Sequence, residues 1–104
     1  MTAKWHVTLS REAKKQYIKL KCNGVKKPSI LDVIDALVND LVLNGPILIN
    51  WPNYGLISES KTKFFYHCHL KKGKPTFVAC WKVTNEKGMQ IEVFYVGTHE
   101  GAPY

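Results

Sequence analysis

The sequence predicts an α+β domain in which two helices pack on one face of a mainly antiparallel sheet. Apolar residues recur at helical spacing in two segments of the first half of the chain. In the second half, apolar and polar residues alternate, which is typical of strands that bury one face. The chain has 104 residues, enough for one core, so we expect residues 1–104 to form a single domain.

The chain begins with a predicted strand and helix. Residues 5–9 alternate between apolar and polar side chains, which predicts a half-buried strand. Ser10 is placed to cap a helix in which Ala13, Tyr17 and Leu20 form the buried stripe. The lysines of this segment fall largely on the exposed side, so the helix is amphipathic and basic.

A second helix and a series of strands follow. The helix is predicted from Ser29, whose spacing to Asp32 resembles a capping box, to the stop signal Asn44-Gly45-Pro46. Its buried stripe consists of Leu31, Ile34, Leu37, Val38 and Leu41. Beyond the turn-forming segment 51–55, strands are predicted at residues 56–59, 63–71, 77–83 and 89–96. Turns at residues 72–75 and 85–88 join the last three strands.

Charge is distributed in blocks along the chain, whose net charge is +7. Residues 1–27 carry eight basic and one acidic side chain, and residues 28–60 carry four acidic and no basic ones. Residues 61–87 carry seven basic and one acidic side chain, and residues 88–104 carry two acidic and no basic ones. If the two basic segments lie together in the fold, they form a positive surface suited to a polyanion. A solvated face that keeps the protein soluble is the other interpretation.

Composition excludes several classes of protein. No apolar run approaches the roughly 18 residues that a membrane span needs, and residues 1–9 lack the apolar stretch of a secretory signal. We therefore expect a cytoplasmic protein that does not engage a membrane. Cys22, Cys68 and Cys80 are odd in number and have no CxxC spacing, so we expect neither a disulfide framework nor a zinc knuckle.

Two histidines of the predicted strand 63–71 are candidates for chemistry. His67 and His69 are separated by one residue, so they share one face of the strand at a distance of about 7 Å. Lys71, Lys72 and Lys74 follow them. Cleavage of RNA by its 2′-hydroxyl needs a base, a cation for the phosphorane and an acid, which histidine and lysine can supply. The other interpretation is two exposed histidines on a hairpin beside a solubilising lysine run.

A metal site is the second chemistry that the histidines allow. His67, His69 and His99 could together hold a metal ion. We expect the cysteines to face away from this set, and no acidic ligand joins it. We therefore expect no metal and no cofactor.

Two stretches in the second half of the chain, Tyr66–Leu70 and the C-terminal segment Glu92–Tyr104, follow the β-α-α pattern. Together with that pattern, they resemble the RelE/HigB-like toxins of type II toxin–antitoxin systems. In this RelE/ParE superfamily, a strand ending in Val-Gly precedes a basic or histidine position and then a tyrosine, which Val96-Gly97-Thr98-His99 and Tyr104 match. The resemblance spans nearly the whole chain. It implies the RelE-like microbial RNase fold, β-α-α-β-β-β with or without a further strand, in which both helices cover one face of a twisted sheet.

The resemblance also implies a function, which is ribosome-dependent cleavage of mRNA that inhibits translation. It implies an antitoxin protein, the ribosome and mRNA as partners, and no small-molecule substrate. By the family pattern, His99 is a general acid or base, and Tyr104 stacks on a base or helps deprotonation. The phosphate is held or activated by His67, His69, Lys71 and Lys74. The wider set of candidates for RNA binding is Lys14, Lys15, Lys19, Lys71, Lys72 and Lys74.

One departure from the family keeps two other functions open. Many relatives carry arginines in the groove between the strand that holds His67 and His69 and the tail from Gly97 to Tyr104, whereas Arg11 is the only arginine of this chain. The first alternative is a ParE-like toxin, which shares the scaffold, lacks a nuclease site and acts on gyrase. The second is a non-catalytic RNA-binding domain, in which lysines of the first helix work with stacking by Trp51, Tyr54 and Phe65.

Overall fold

A computed structural model describes residues 4–22, 28–57, 65–71 and 76–103. Its elements are β1 (His6–Leu9), α1 (Arg11–Cys22), α2 (Pro28–Asn44), β2 (Gly55–Leu56), β3 (Phe65–Lys71), β4 (Phe77–Asn85), β5 (Gln90–Thr98) and the short 3-10 helix η1 (His99–Gly101). The predicted α+β class is confirmed, with both helices preceding a run of antiparallel strands. The predicted strand residues 58–59 and 63–64 and the predicted turn 72–75 lie outside the described residues.

The sheet has five strands in the order β1-β5-β4-β3-β2. All neighbouring strands are antiparallel except β1 and β5, which pair in parallel with Val7 opposite Ile91. The first and last strands therefore lie side by side and point the same way. As a consequence, α1 begins beside the middle of β5, where Leu9 pairs with Val93, and η1 begins beyond the end of β5.

Helix α1 begins as the sequence predicts. The Ser10 hydroxyl accepts a hydrogen bond from the Ala13 N–H at 3.1 Å, which satisfies one of the free donors of the first turn. Ala13 is fully buried. Further along, Tyr17 donates to the Asp35 carboxylate of α2 at 3.0 Å, and Gln16 accepts from the Val96 N–H at 3.0 Å. The helix is therefore attached to α2 on one side and to the edge of β5 on the other.

Helix α2 begins one residue before the predicted cap. Pro28 is its first residue, so Ser29 lies inside the helix and is not the cap. Proline suits this position because the first N–H of a helix has no partner within the helix. The C-terminal stop is confirmed: Gly45 has a φ of +82°, and a Cβ there would meet Nε1 of Trp5 at 2.8 Å. No helix in the described part of the chain is long and apolar enough to cross a membrane.

The main core lies between the helices and the sheet. Its buried side chains are Ile30, Ile34, Leu37, Leu41, Leu48, Tyr66, Cys68, Leu70, Ala79, Trp81, Ile91, Val93 and Val96. Trp81 is fully buried and donates from Nε1 to the Pro46 carbonyl at 3.0 Å. Its ring is stacked with those of Tyr54 and Tyr66 at about 6 Å between centroids, a geometry that aromatic pairs favour. This core holds β3 and β4 with one fixed face toward the helices.

Candidate active site

Strand β3 divides its side chains between the two faces of the sheet. The core beneath the helices receives Tyr66, Cys68 and Leu70. The opposite side, which we call the second face, receives Phe65, His67 and His69, all half-buried. A smaller hydrophobic cluster lies on the second face and comprises Ile57, Val78, Cys80 and Tyr95, with Phe65, Phe94 and Ala102 packed against it. The prediction that His67 and His69 share a face is confirmed.

His99 reaches the second face through the segment that follows β5. Its backbone N–H donates to the Thr76 carbonyl at 2.8 Å. The imidazole rings of His69 and His99 lie edge to face, with centroids 5.6 Å apart and planes at 72°. The structure therefore forms a histidine pair from His69 of β3 and His99 of η1, which lie 30 residues apart in the sequence.

The surroundings of His67 and His69 favour their neutral forms. The pKa of His67 is lowered from 6.5 by burial and then by the charge of His69, against a hydrogen bond to the Leu56 backbone that raises it. The pKa of His69 is lowered by burial and then by the charge of His99. At pH 7 both imidazoles are largely neutral and can accept a proton. This arrangement is suited to acid–base chemistry on a bound phosphodiester.

Cys80 corrects one expectation about the metal site. It is the register partner of His67 in β4 and lies on the second face, whereas Cys68 lies in the core. The expectation that the cysteines face away from the histidines is therefore wrong for Cys80. Burial raises the pKa of Cys80 to about 12, so it remains a thiol in this apolar cluster. Within the described residues, no three His, Cys, Asp or Glu side chains are grouped to hold a metal ion.

Two solved structures match the chain over almost its whole length. The YoeB dimer from Staphylococcus aureus superposes with a TM-score of 0.69 and 15% sequence identity, over 91% of this chain and 97% of the other. The metal-bound toxin from Helicobacter pylori superposes with a TM-score of 0.64 and 21% identity, over 92% of this chain and 96% of the other. This chain has their fold. No protein-family model and no curated protein matches its sequence.

The YoeB-like fold places one unpredicted cation on the second face. Lys82 lies two residues beyond Cys80 on β4, opposite Phe65 in register. Its ammonium is 3.6 Å from the Glu92 carboxylate and lies over the rings of Phe65 and Phe94, 5.7 and 5.9 Å from their centroids. Because these contacts already balance its charge, Lys82 is a weaker phosphate ligand than its position suggests. Alternate residues of a strand share a face, so Lys82 could have been predicted from the sequence once Cys80 was known to pair with His67.

The YoeB-like fold separates the candidate lysines of α1 by the side of the helix that they occupy. Lys14 precedes Tyr17 by three residues and shares the side that faces α2. Lys19 follows Gln16 by three residues and shares the side that faces the edge of β5. Lys15 is exposed and lies 3.9 Å from Glu12. Among the lysines of α1, Lys19 therefore shares the side that faces β5, the strand whose last residue precedes His99.

Four other candidates lie outside the described residues. These are Tyr104, Lys72, Lys74 and the side chain of Lys71. Their predicted roles stay predictions.

The aromatic residues proposed for RNA stacking are already engaged within the protein. Trp51 is half-buried and donates from Nε1 to the Asp40 carboxylate at 2.7 Å. Tyr54 is half-buried against the core. Phe65 packs against Phe94 with ring centroids 5.4 Å apart. These contacts disfavour the interpretation in which the three aromatics form a platform for bases.

Proposed function

We propose that this chain is the toxin of a type II toxin–antitoxin system and cleaves mRNA on the ribosome, as a RelE/HigB-like endoribonuclease. The observation that carries the proposal is the histidine pair, His69 and His99, on the second face of a fold shared with two toxins. Two imidazoles at this separation can act on the two oxygens that flank one phosphorus atom. Such a toxin inhibits translation and works in the cytoplasm, where ribosomes and mRNA are found.

In the proposed reaction, His69 is the base and His99 the acid. The neutral imidazole of His69 takes the proton of the RNA 2′-hydroxyl, and the 2′-oxygen forms a bond to phosphorus. The bond from phosphorus to the 5′-oxygen breaks, and the protonated imidazole of His99 gives its proton to that oxygen. The products are a 2′,3′-cyclic phosphate and a 5′-hydroxyl. His67, two residues from His69 on the same face, helps to hold the phosphate.

Lysines are the cations that this proposal requires. The phosphorane carries more negative charge than the bound phosphodiester, and no guanidinium is available beyond Arg11 at the start of α1. Lys19 is supported by its side of α1, and Lys71, Lys72 and Lys74 by their place directly after the histidines. An ammonium donates hydrogen bonds with a less defined geometry than a guanidinium fork does. We therefore expect slower cleavage than an arginine-bearing site would give.

The proposed partner that silences the protein is an antitoxin with an acidic segment. The net charge of +7 and the basic segments on either side of α2 favour a partner of opposite charge. Binding across the second face would cover the histidine pair. The same charge favours the phosphate backbone of RNA.

The proposal is tested by expressing the chain without an antitoxin. We expect growth arrest, with breaks in mRNA at positions where ribosomes are translating, mapped by primer extension. His99→Ala should abolish both effects while the protein still folds and binds its antitoxin. His6→Ala, which changes an exposed histidine of the edge strand β1, is the matched control and should keep both effects. Full growth arrest by His99→Ala would contradict the catalytic role, and breaks in RNA without ribosomes would contradict ribosome dependence.

A gyrase-directed toxin is the second candidate function. It is favoured by one feature of the sequence, the lack of any arginine other than Arg11. Such a protein would inhibit DNA supercoiling by purified gyrase, and His99→Ala would not relieve that inhibition. The same variant therefore separates the two candidates.

A further inference from the structure

The bend between β5 and η1 is held by a buried tyrosine. Tyr95 is 9% exposed, and its hydroxyl donates to the Thr98 carbonyl at 2.6 Å. Burial raises the pKa of Tyr95, so the phenol stays protonated and remains a donor. The bonded carbonyl belongs to the peptide group that joins Thr98 to His99. On the other side of the same peptide group, the His99 N–H donates to the Thr76 carbonyl at 2.8 Å.

Hydrogen bonds therefore hold this peptide group at both its carbonyl oxygen and its N–H. A peptide unit is planar, so fixing its oxygen and its N–H together fixes the orientation of the whole plane. The Cα of His99 is attached to that plane. The starting point of the His99 side chain is thus determined by the Tyr95 hydroxyl at one end and by Thr76 at the other.

Two glycines leave room for the Tyr95 hydroxyl. A Cβ added at Gly97 or at Gly101 would lie 2.8 Å from that oxygen, closer than real Cβ contacts. Neither glycine has a left-handed backbone, so the close approach of Tyr95 explains them better than backbone freedom does. Ala102, next to Gly101, packs against the same cluster as Tyr95.

We propose that Tyr95 is a positioning residue, whose hydroxyl orients the peptide group before His99 and so holds His99 against His69. This inference rests on the proposed function, because it assigns a role within that acid–base pair. Acid–base catalysis depends on the separation of the two groups, and a displacement of about 1 Å can cost about a hundredfold in rate. Tyr95 does not touch the substrate and does not transfer a proton in this scheme.

The first test removes one oxygen atom. In Tyr95→Phe we expect His99 to move away from His69. The rate of cleavage at saturating ribosome concentration should fall about tenfold or more. The ribosome concentration that gives half of the maximal rate should change little. Tyr17→Phe is the matched control, because it also removes a hydroxyl that donates to an oxygen atom, the Asp35 carboxylate in the helix layer. It should keep the parent rate.

The second measurement does not require any nuclease activity. The titration of His69 is followed by NMR in the parent and in both phenylalanine variants. Because the charge of His99 is one cause of the lowered pKa of His69, that pKa should rise in Tyr95→Phe and stay unchanged in Tyr17→Phe. An unchanged His69 titration in folded Tyr95→Phe would overturn the proposal. If the parent does not cleave mRNA but the titration shifts as expected, the proposed function fails and the positioning of His99 by Tyr95 stands.

A double-mutant cycle separates positioning from a general loss of stability. Gly101→Ala should disturb the His69 titration and lower the cleavage rate in the parent, because the new Cβ crowds the Tyr95 hydroxyl. In the Tyr95→Phe background the nearest remaining ring atom is 3.9 Å away, so the same substitution should cause little further change. Effects of Gly101→Ala that are equal in both backgrounds would contradict the role of the hydroxyl.

Discussion

His67 and His69 are both imidazoles on the second face, but their surroundings differ. His67 lies on β3, next to the edge strand β2, between Gly55 of β2 and Cys80 of β4. His69 lies farther along β3, in contact with the ring of His99. Burial is the first cause of the lowered pKa at both His67 and His69, so the folded state holds them in their neutral form. The folded chain therefore resists protonation at positions where the unfolded chain does not.

This difference predicts how stability depends on pH. Between the ordinary histidine pKa of 6.5 and the lower folded-state values, the unfolded chain binds more protons than the folded chain. The free energy of unfolding should therefore fall as the pH drops through 6.5 and level off below the folded-state values. Urea unfolding at about pH 7.5 and about pH 5.5 measures the loss.

Two histidine variants test which residue causes this fall in the free energy of unfolding. In His67→Gln the loss of stability between the two pH values should be smaller than in the parent, because one of the responsible groups is absent. His6→Gln changes an exposed histidine of β1 and should retain the parent's loss. An equal loss in His67→Gln and in the parent would show that other groups cause the pH dependence.

At the scale of elements, the end of α2 is attached to the following loop by one carboxylate. Asp40 accepts hydrogen bonds from Nε1 of Trp51 at 2.7 Å and from the Asn44 amide. The loop continues to Gly55, which pairs with His67. In the same loop, the Pro52 carbonyl accepts a hydrogen bond from the His69 N–H at 2.7 Å. The attachment of this loop therefore supports the strand that carries both histidines.

Removing that carboxylate tests its contribution. Asp40→Ala should lower the free energy of unfolding by about 1–3 kcal/mol, because the indole N–H of half-buried Trp51 loses its charged acceptor. Asp32→Ala, at an exposed position of the same helix, should change it by less than about 0.5 kcal/mol. Urea unfolding monitored by tryptophan fluorescence measures both. Equal effects of the two substitutions would mean that the loop is held by other contacts.

At the level of the whole molecule, the parallel pairing of β1 and β5 decides how α1 runs along β5. The Ser10 N–H donates to the Val93 carbonyl, and Gln16 accepts from the Val96 N–H, so α1 advances along β5 in the direction of the strand. Lys19 lies nearly one turn beyond Gln16 on the same side of the helix. It therefore extends toward the end of β5, where His99 follows.

This placement predicts a difference between two lysines of one helix. If Lys19 contacts a phosphate, Lys19→Ala should reduce the salt dependence of ribosome binding by about one unit of slope and lower the affinity. Lys14→Ala, on the side of α1 that faces α2, should change neither by a comparable amount. Binding measured over a series of salt concentrations tests this. If both variants lowered the affinity and its salt dependence equally, a diffuse electrostatic attraction would be indicated and not a direct contact of Lys19 with a phosphate.

Local patterns of residues were enough to predict the helices, the strands and part of the candidate site. Alternation and helical spacing are properties of neighbouring residues, so they predicted two helices, the strands and the shared face of His67 and His69. The start of α1 was also predicted, because the Ser10 cap acts across three residues. The stop of α2 at Gly45 was predicted for the same local reason, although its start was placed one residue too late.

How these elements meet could not be predicted from local patterns. Strand β4 is apolar on both sides, so its pattern could not show that Cys80 shares a face with His67, or that Lys82 is ion-paired to Glu92. The contact of His69 with His99 needs β4 between β3 and β5 and a clamped bend after β5. These relations depend on contacts between distant residues, and local periodicity carries no information about which distant strands become neighbours or in which register they pair.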